Sequence, residues 1–255
     1  MFQLDFTKKT VIVTGGGSGI GYAIAEAFFA CGANVVLCGR REEVLKSAVL
    51  KIEDSNNNSD RGEVIYVVAD MSREDDVEML VQRTVEQFSQ LDVFINNAGE
   101  WMSSPILEIK ESDILTLVKN NLVATILGTK YAALSMAEGG VIINIGSFAG
   151  ILPQRNSSVY ASVKSAVHQF TKSSAAELAE KGIRVNCVIP GVIRTAMTSD
   201  YIDSNIDNIL RAIPLGRVGT TGEVAHSVLF LSSDIAKYTT GASLQVSGGK
   251  YVIQL

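Results

Sequence analysis

The sequence predicts a doubly wound α/β fold, in which a parallel sheet is covered by helices on both faces. Three observations predict it. Short apolar runs recur from end to end and are continuous in Val and Ile instead of alternating, as strands buried on both faces require. Segments of helical spacing separate them, giving a βαβ rhythm. The first run leads through a glycine-rich turn into the first of these segments.

In chain order, the apolar runs Thr10–Thr14, Asn34–Cys38, Val64–Ala69, Asp92–Asn96, Val141–Gly146, Arg184–Ile189 and Ser243–Val246 are predicted strands. Helical spacing marks Ile20–Ala30, Glu42–Ile52, Glu74–Phe88, Ile114–Met136 and Ser158–Ala179. Right-handed crossovers then determine most of the topology. The polar stretch Asp54–Asp60 reads as a mobile surface loop, and strands continue on both sides of it in the same rhythm, so one domain over residues 1–255 is expected. Thr195–Ile213 mixes polar and apolar residues late in the chain. A segment placed there, above the carboxyl ends of the strands, is suited to act as a substrate lid over residues 195–213.

Apolar residues make up 47% and charged residues 19%, the balance of an enzyme with a sizeable core. A net charge of -5 argues against nucleic acid as partner and gives no general attraction to acidic membranes. The N-terminus carries no signal-peptide pattern, and no apolar stretch approaches a membrane span. Cys31, Cys38 and Cys187 form no metal-ligand spacing and are expected to be reduced thiols, mostly buried, in a cytoplasmic protein; no metal is expected.

The turn Thr14-Gly15-Gly16-Gly17-Ser18-Gly19-Ile20-Gly21 suits a dinucleotide pyrophosphate. The backbone must turn tightly at Gly15, approach phosphate closely at Gly19, and let the helix pack on the strand at Gly21. The N–H groups at the helix start, from Ser18 to Ile20, then face negative charge. The spacing GxxxGxG differs from the more familiar GxGxxG, and an ordinary glycine-rich strand–helix turn is its competitor. At the end of the second strand Gly39 stands where a carboxylate would hold the ribose hydroxyls of NAD(H). Arg40 and Arg41 follow, and guanidinium groups favour a 2′-phosphate. NADP(H) is therefore favoured, with NAD(H) possible. Asp70 and Met71 end the third strand, placed to accept from an adenine amino group and to flank the ring, or else to form a turn.

Tyr160 and Lys164 are spaced i, i+4 and lie on one face of a helix. A phenol is a poor base at neutral pH, and bringing its pKa from ~10 to ~7 takes roughly 4 kcal/mol. A neighbouring ammonium favours the phenolate and is expected to lower it. Ser147, at the end of a buried strand, is placed to hold a substrate oxygen beside Tyr160. His168 and His226 read as helix-face residues.

Taken together, these residues resemble the short-chain dehydrogenase/reductase (SDR) family, and the resemblance covers nearly the whole chain. Thr14–Gly21 is similar to its TGxxxGxG turn, and Asn96-Asn97-Ala98-Gly99 to its NNAG segment, which stabilises the sheet and lies against the cofactor. Asn121, Ser147, Tyr160 and Lys164 match its catalytic tetrad. Pro190-Gly191 with Ile193 and Thr195 matches the segment that meets the nicotinamide carboxamide, and Asn186 on the preceding strand fits. The resemblance implies a seven-stranded Rossmann-type sheet, Tyr160 as acid/base, and Lys164 on the nicotinamide ribose. It implies that Ser147 orients the carbonyl, and that Asn121 holds a water linking Lys164 to a proton path through a kinked helix. It also implies a homotetramer or homodimer paired through the long helices at Ile114–Met136 and Ser158–Ala179. Two departures stand out: Val246-Ser247-Gly248-Gly249 lacks the family's Asp, and Gly219–Glu223 lacks its proline. No basic residue precedes Gly19, so the NADP preference rests on Arg40 and Arg41.

The general look is of the 3-oxoacyl-carrier-protein reductase-like branch, which also holds enzymes for sugars, steroids and simple alcohols. The acidic balance weighs against an acidic carrier protein as partner. Glu100, Trp101 and Met102 are expected to line the mouth for a small carbonyl or alcohol substrate. Trp101 suits either stacking on a substrate ring or packing as a half-buried side chain. Thr195–Arg211 is expected to form the other wall. Two rival classes remain: a cofactor-sensing protein without turnover, which has no reason to keep all four tetrad positions, and a methyltransferase, which has no use for Tyr160 and Lys164.

Overall fold

The structure is a computed structural model and describes residues 4–55 and 62–250. Five residues, Thr10–Thr14, form β1, and every one is buried. Their side chains alternate between two cores. Val11 and Val13 face one side of the sheet and Ile12 the other, which is why the run is apolar throughout. The elements continue as α1 (Gly19–Ala30), β2 (Asn34–Gly39), α2 (Glu42–Ser55), β3 (Val64–Val68), α3 (Glu74–Phe88) and β4 (Val93–Asn96). They are followed by α4 (Glu111–Leu117), α5 (Ala124–Ser135), β5 (Val141–Ile145), α6 (Ser158–Leu178) and β6 (Arg184–Pro190), then α7 (Ser199–Arg211), α8 (Thr221–Ser232) and β7 (Ser243–Val246).

The seven strands form one sheet in the order β3-β2-β1-β4-β5-β6-β7, and every pairing is parallel. The order reverses between β1 and β4. At such a switch point the loops leaving neighbouring strands run apart and open a crevice at the carboxyl ends. One core, under α1, α2 and α8, is anchored by Ile24, Phe28, Leu45 and Val228; the other, under α3, α5 and α6, by Val77, Leu80, Phe94 and Ala132.

The expected strands agree with the observed ones to within a residue at either end. The expected helix Ile114–Met136 is corrected. It starts earlier, where the Asp113 carboxylate accepts from the Lys110 N–H at 3.3 Å, and residues Val118–Val123 form a π-helical turn within it. Thr195–Ile213 contains α7, bent at Asn205, whose φ of -133° leaves the helical region. Of the polar stretch Asp54–Asp60, Asp54 and Ser55 end α2, and the rest lies outside the described residues. At the start of α8 the missing proline is replaced by a capping box: Thr220 N–H donates to the Glu223 carboxylate at 2.8 Å, and Glu223 N–H to the Thr220 hydroxyl at 3.3 Å. Arg217 grips the same carboxylate from both nitrogens, and its hydrogen bond holds Glu223 down at a pKa of about 2.

The three cysteines are free thiols; Cys38 and Cys187 are buried and Cys31 is partly so. Among the described residues no His, Cys, Asp and Glu side chains cluster to hold a metal. No helix there is long and apolar enough to cross a membrane.

Candidate active site

A cleft of about 870 Å³ opens at the carboxyl ends of the strands, on the reversal between β1 and β4. Gly15, Asn97, Trp101, Asn121, Ser147, Tyr160, Lys164 and Thr195 all line it.

At one end lies the glycine turn. Gly15 and Gly19 have φ of +64° and +58°, a region where a Cβ is strained. A Cβ on Gly21 would lie 2.2 Å from the Gly15 carbonyl oxygen, so the helix packs on the turn only without one. Ser18 precedes α1 without capping it through its side chain, and the first turn carries no acid. The positive end of the helix therefore meets the cleft uncompensated. The turn is tied to the NNAG segment by Thr14. Its hydroxyl accepts from the N–H groups of Asn97 (3.0 Å) and Ala98 (2.9 Å) and donates to Ile95 O (3.0 Å). Asn97 Nδ2 returns to the Thr14 carbonyl at 2.8 Å.

Arg40 and Arg41 follow β2 at the cleft edge. Both are exposed, and among the described residues neither makes an ion pair within 4.0 Å. Asp70 forms a turn, its Oδ1 accepting from the Ser72 N–H (3.0 Å) and hydroxyl (2.8 Å), while its carboxylate still borders the cleft. Burial pushes this carboxyl up, but the Ser72 bonds and the charges of Arg40 and Arg73 outweigh it and leave the pKa lowered. Met71 is buried against Cys38, with the two sulfurs 3.6 Å apart. On the far side Pro190 ends β6, Gly191 N–H donates to Val246 O at 2.9 Å, and Ile193 bridges to Gly219. Thr195 Cβ comes within 3.6 Å of where a Cβ on Gly19 would stand, so this loop closes onto the glycine turn.

At the other end the tetrad positions converge. Lys164 is buried, and its ammonium donates to the Ile145 carbonyl at 3.0 Å. It stands 6.0 Å from the centre of the Tyr160 ring. Ser147 Oγ accepts from the Ala149 N–H at 3.2 Å, which leaves its own O–H free to donate. Asn121 sits in the π-turn and clamps the backbone of Glu100, accepting from its N–H at 3.3 Å and donating to its carbonyl at 3.0 Å. Gly99 separates Asn121 from Lys164. A Cβ there would lie 2.6 Å from Asn121 Oδ1 and 3.6 Å from Lys164 Nζ.

One expectation is corrected here. Burial, not the lysine charge, governs the phenol: Tyr160 is pushed up by desolvation, with the Ser147 contact opposing, and Lys164 is pushed down to about 8. His168 lies on the buried face of α6. It is buried, and its Nε2 accepts from the Ser147 N–H at 3.3 Å. His226 is exposed on α8, as a helix-face residue should be.

The mouth is aromatic. Trp101 and Tyr201, the latter from α7, face each other with ring centres 5.9 Å apart. Trp101 is half-buried and lines the cleft. Glu100 lines the cleft and accepts from Asn120 Nδ2 at 2.7 Å, whereas Met102 does not line it. Phe148, Arg155, Met197 and Tyr201 also border it. The sequence reading missed Phe148 and Arg155, which no spacing singles out, and had Met197 and Tyr201 only as members of the expected wall.

A family model described as enoyl-(acyl carrier protein) reductase matches residues 15–250. The 3-oxoacyl-acyl-carrier-protein reductase FabG of Chlamydia muridarum is 36% identical over 95% of this chain and 97% of its own length. The chain belongs to the short-chain dehydrogenase/reductase family. As an SDR protein it is an oxidoreductase acting between CH–OH and C=O groups with a nicotinamide cofactor. A 3alpha-hydroxysteroid dehydrogenase of Mediterraneibacter gnavus is 35% identical over 97% of this chain and 98% of its own. Among solved structures, a short-chain dehydrogenase from Burkholderia cenocepacia in complex with NADP superposes with a TM-score of 0.90 at 30% identity, covering 96% of this chain and 99% of that one.

Proposed function

We propose that this SDR protein is an NADP(H)-dependent carbonyl reductase or secondary-alcohol dehydrogenase, with Tyr160 as its acid/base. The observation that carries the reading is the convergence of Tyr160, Lys164 and Ser147 on one end of a cleft whose other end is an uncapped, glycine-lined helix start. That cradle fits a dinucleotide. Gly15, Gly19 and Gly21 clear the approach, and Arg40 and Arg41 are free to take a 2′-phosphate. When bound, the cofactor supplies or accepts a hydride.

The chain's own residues supply the rest. The Ser147 O–H donates to the substrate oxygen and holds it beside the phenol. Tyr160 gives that oxygen a proton as the alcohol forms, and takes it back in the other direction. Lys164, anchored on Ile145 O, supplies positive charge that stabilises a developing phenolate and binds the nicotinamide ribose. Asn121, in the π-helical turn beside Lys164, is assigned the family role of linking Lys164 through a water to the path by which the proton is replaced. Burial raises the Tyr160 pKa, with the Ser147 contact opposing, so a positive charge near the phenol is what the proton transfer calls for. Trp101, Phe148, Met197 and Tyr201 favour an apolar ketone, in keeping with the acyl and steroid substrates in the names of the relatives. Residues 195–213, including α7, act as the lid.

The test follows NADPH and NADH absorbance with a panel of acyl, steroid and simple ketones. Turnover with NADPH is expected, and Tyr160→Phe is expected to lose roughly a hundredfold to ten-thousandfold in kcat. An unimpaired Tyr160→Phe enzyme would overturn the assignment of the acid.

A further inference from the structure

We propose that His168 is a positioning residue: its Nε2 fixes the backbone of Ser147, and through it the Ser147 hydroxyl, in register with Tyr160. The proposal rests on the reading of Ser147 as the group that orients substrate.

The geometry begins with the helix. Tyr160, Lys164 and His168 step by four along α6 and so form one stripe facing the end of β5. Each member meets a different atom there. Tyr160 contacts the Ser147 side chain. Lys164 Nζ donates to Ile145 O at 3.0 Å. His168 Nε2 accepts from Ser147 N–H at 3.3 Å. One turn further on, Thr171 Oγ1 accepts from Asn144 Nδ2 at 2.9 Å. The stripe therefore grips the strand end at Asn144, Ile145 and Ser147 in succession.

The Ser147 amide has a particular need of a partner. The ladder of β5 stops at Ile145, and Gly146 N–H makes the last bond across to β6, reaching Val188 O at 2.8 Å. The next N–H along the chain is that of Ser147, which is buried beyond the sheet with no strand beside it. A buried amide left without an acceptor costs about 1–3 kcal/mol. His168 supplies that acceptor. Its ring is wedged between the residues that flank the serine. A Cβ on Gly146 would lie 2.4 Å from Nε2, and one on Gly150 would lie 2.7 Å from Cε1. Both neighbours are glycine, and the ring occupies the room this leaves.

The ring is also held in the form that accepts. Burial, then the charges of Lys164 and Lys172, push its pKa down to about 4, so it is neutral wherever the enzyme would work. Cys187, the other titratable group at Gly146, is a buried thiol pushed up to about 12 and carries no competing charge. Lost anchorage would let the Ser147 loop shift. A small displacement of an orienting hydroxyl lowers the rate of the chemical step more than it lowers binding.

The experiment compares His168→Gln, whose amide oxygen reaches about as far as Nε2, with His168→Met, which fills the slot without an acceptor. His168→Asn, polar but too short, is the second variant in case Met does not fold. With NADPH and a ketone that the wild type reduces, Met and Asn are expected to lower kcat roughly tenfold to a hundredfold while KM stays within about twofold. Gln is expected to recover most of the loss. Wild-type kcat in Met and Asn, or a Gln variant as slow as they are at equal thermal stability, would overturn the proposal. Hydrogen exchange of the peptide spanning Ser147 reads the same contact without turnover. Exchange should quicken in Met and Asn but not in Gln, and equal exchange in all variants overturns the proposal whatever the activity. If the wild type reduces no ketone, the reductase reading fails by itself, and exchange still decides the contact.

Discussion

Lys164 carries the pH dependence of this site. Burial lowers its pKa to about 8, so the ammonium is the main form below that value and the neutral amine above it. The proposed chemistry needs the ammonium. The rate of ketone reduction is therefore expected to hold at neutral pH and fall as pH rises through about 8, well short of the ordinary lysine range. A kcat–pH profile for reduction checks this, and a flat profile to pH 10 would count against a buried, functional ammonium. Burial penalises the ammonium in the folded state, so between about 8 and the unfolded lysine pKa of 10.5 the unfolded chain binds more protons and stability rises with pH. The spacing placed Tyr160 and Lys164 on one helix face, but on its own it was weak; Ser147, Asn121 and the glycine turn gave it meaning. The balance between burial and charge was not legible, because desolvation depends on what the rest of the chain packs around the pair. His168 continues the same four-residue step, and that periodicity was the available signal. It reads as an ordinary helix position until the glycines at 146 and 150 are seen to make room for its ring.

At the scale of the element, the proposed preference for NADP(H) rests on the end of β2. Gly39 leaves space where a carboxylate would bind ribose hydroxyls, and Arg40 and Arg41 stand exposed beside it without ion pairs among the described residues. A charged hydrogen bond is worth about 1.5–3 kcal/mol, so replacing both arginines by alanine is expected to raise the KM for NADPH roughly tenfold to a hundredfold and leave that for NADH nearly unchanged. Steady-state kinetics with both cofactors decide it, and an equal loss for both would mean that the arginines serve the fold or the pyrophosphate. This element was legible because a strand end has few positions and each faces a known direction. Two others were harder to read. In α7 the apolar positions Ile202, Ile206 and Ile209 pack, with Ile213 beyond the helix and with Val192, into a separate small core at helical spacing, but Asn205 breaks the helix between them and the polar residues dilute the pattern. In the segment 118–123 the family resemblance implied a kinked helix at Asn121. Only the structure shows the extra residue per turn, with Ala124 N–H reaching back to Lys119 O.

For the whole molecule, sheet order and helix surface lead to a prediction about assembly. The single reversal between β1 and β4 collects the glycine turn, the NNAG segment, the serine loop and the segment after β6 at one edge, so the cleft is built within one chain. The other surfaces are left to do something else. Along α4 and α5, Leu115, Ile126 and Leu134 are exposed by 53%, 38% and 65%, while the buried face of α5 is made of small residues, Ala124, Gly128, Ala132 and Ala133. A helix that spends its small residues inward and leaves its large apolar ones outward is poorly matched to water. We propose that this face pairs with a second copy of the chain, as the family resemblance implies, giving a homodimer or homotetramer. Light scattering is expected to return a mass of two or four chains. Ile126→Glu with Leu134→Glu places charge on a face that would be desolvated by pairing, at a cost of several kcal/mol per interface, and should shift the protein toward the monomer with its far-UV circular dichroism unchanged. A wild-type protein that is monomeric at micromolar concentration would refute the pairing. A double variant that keeps the wild-type mass would move the interface away from α4 and α5.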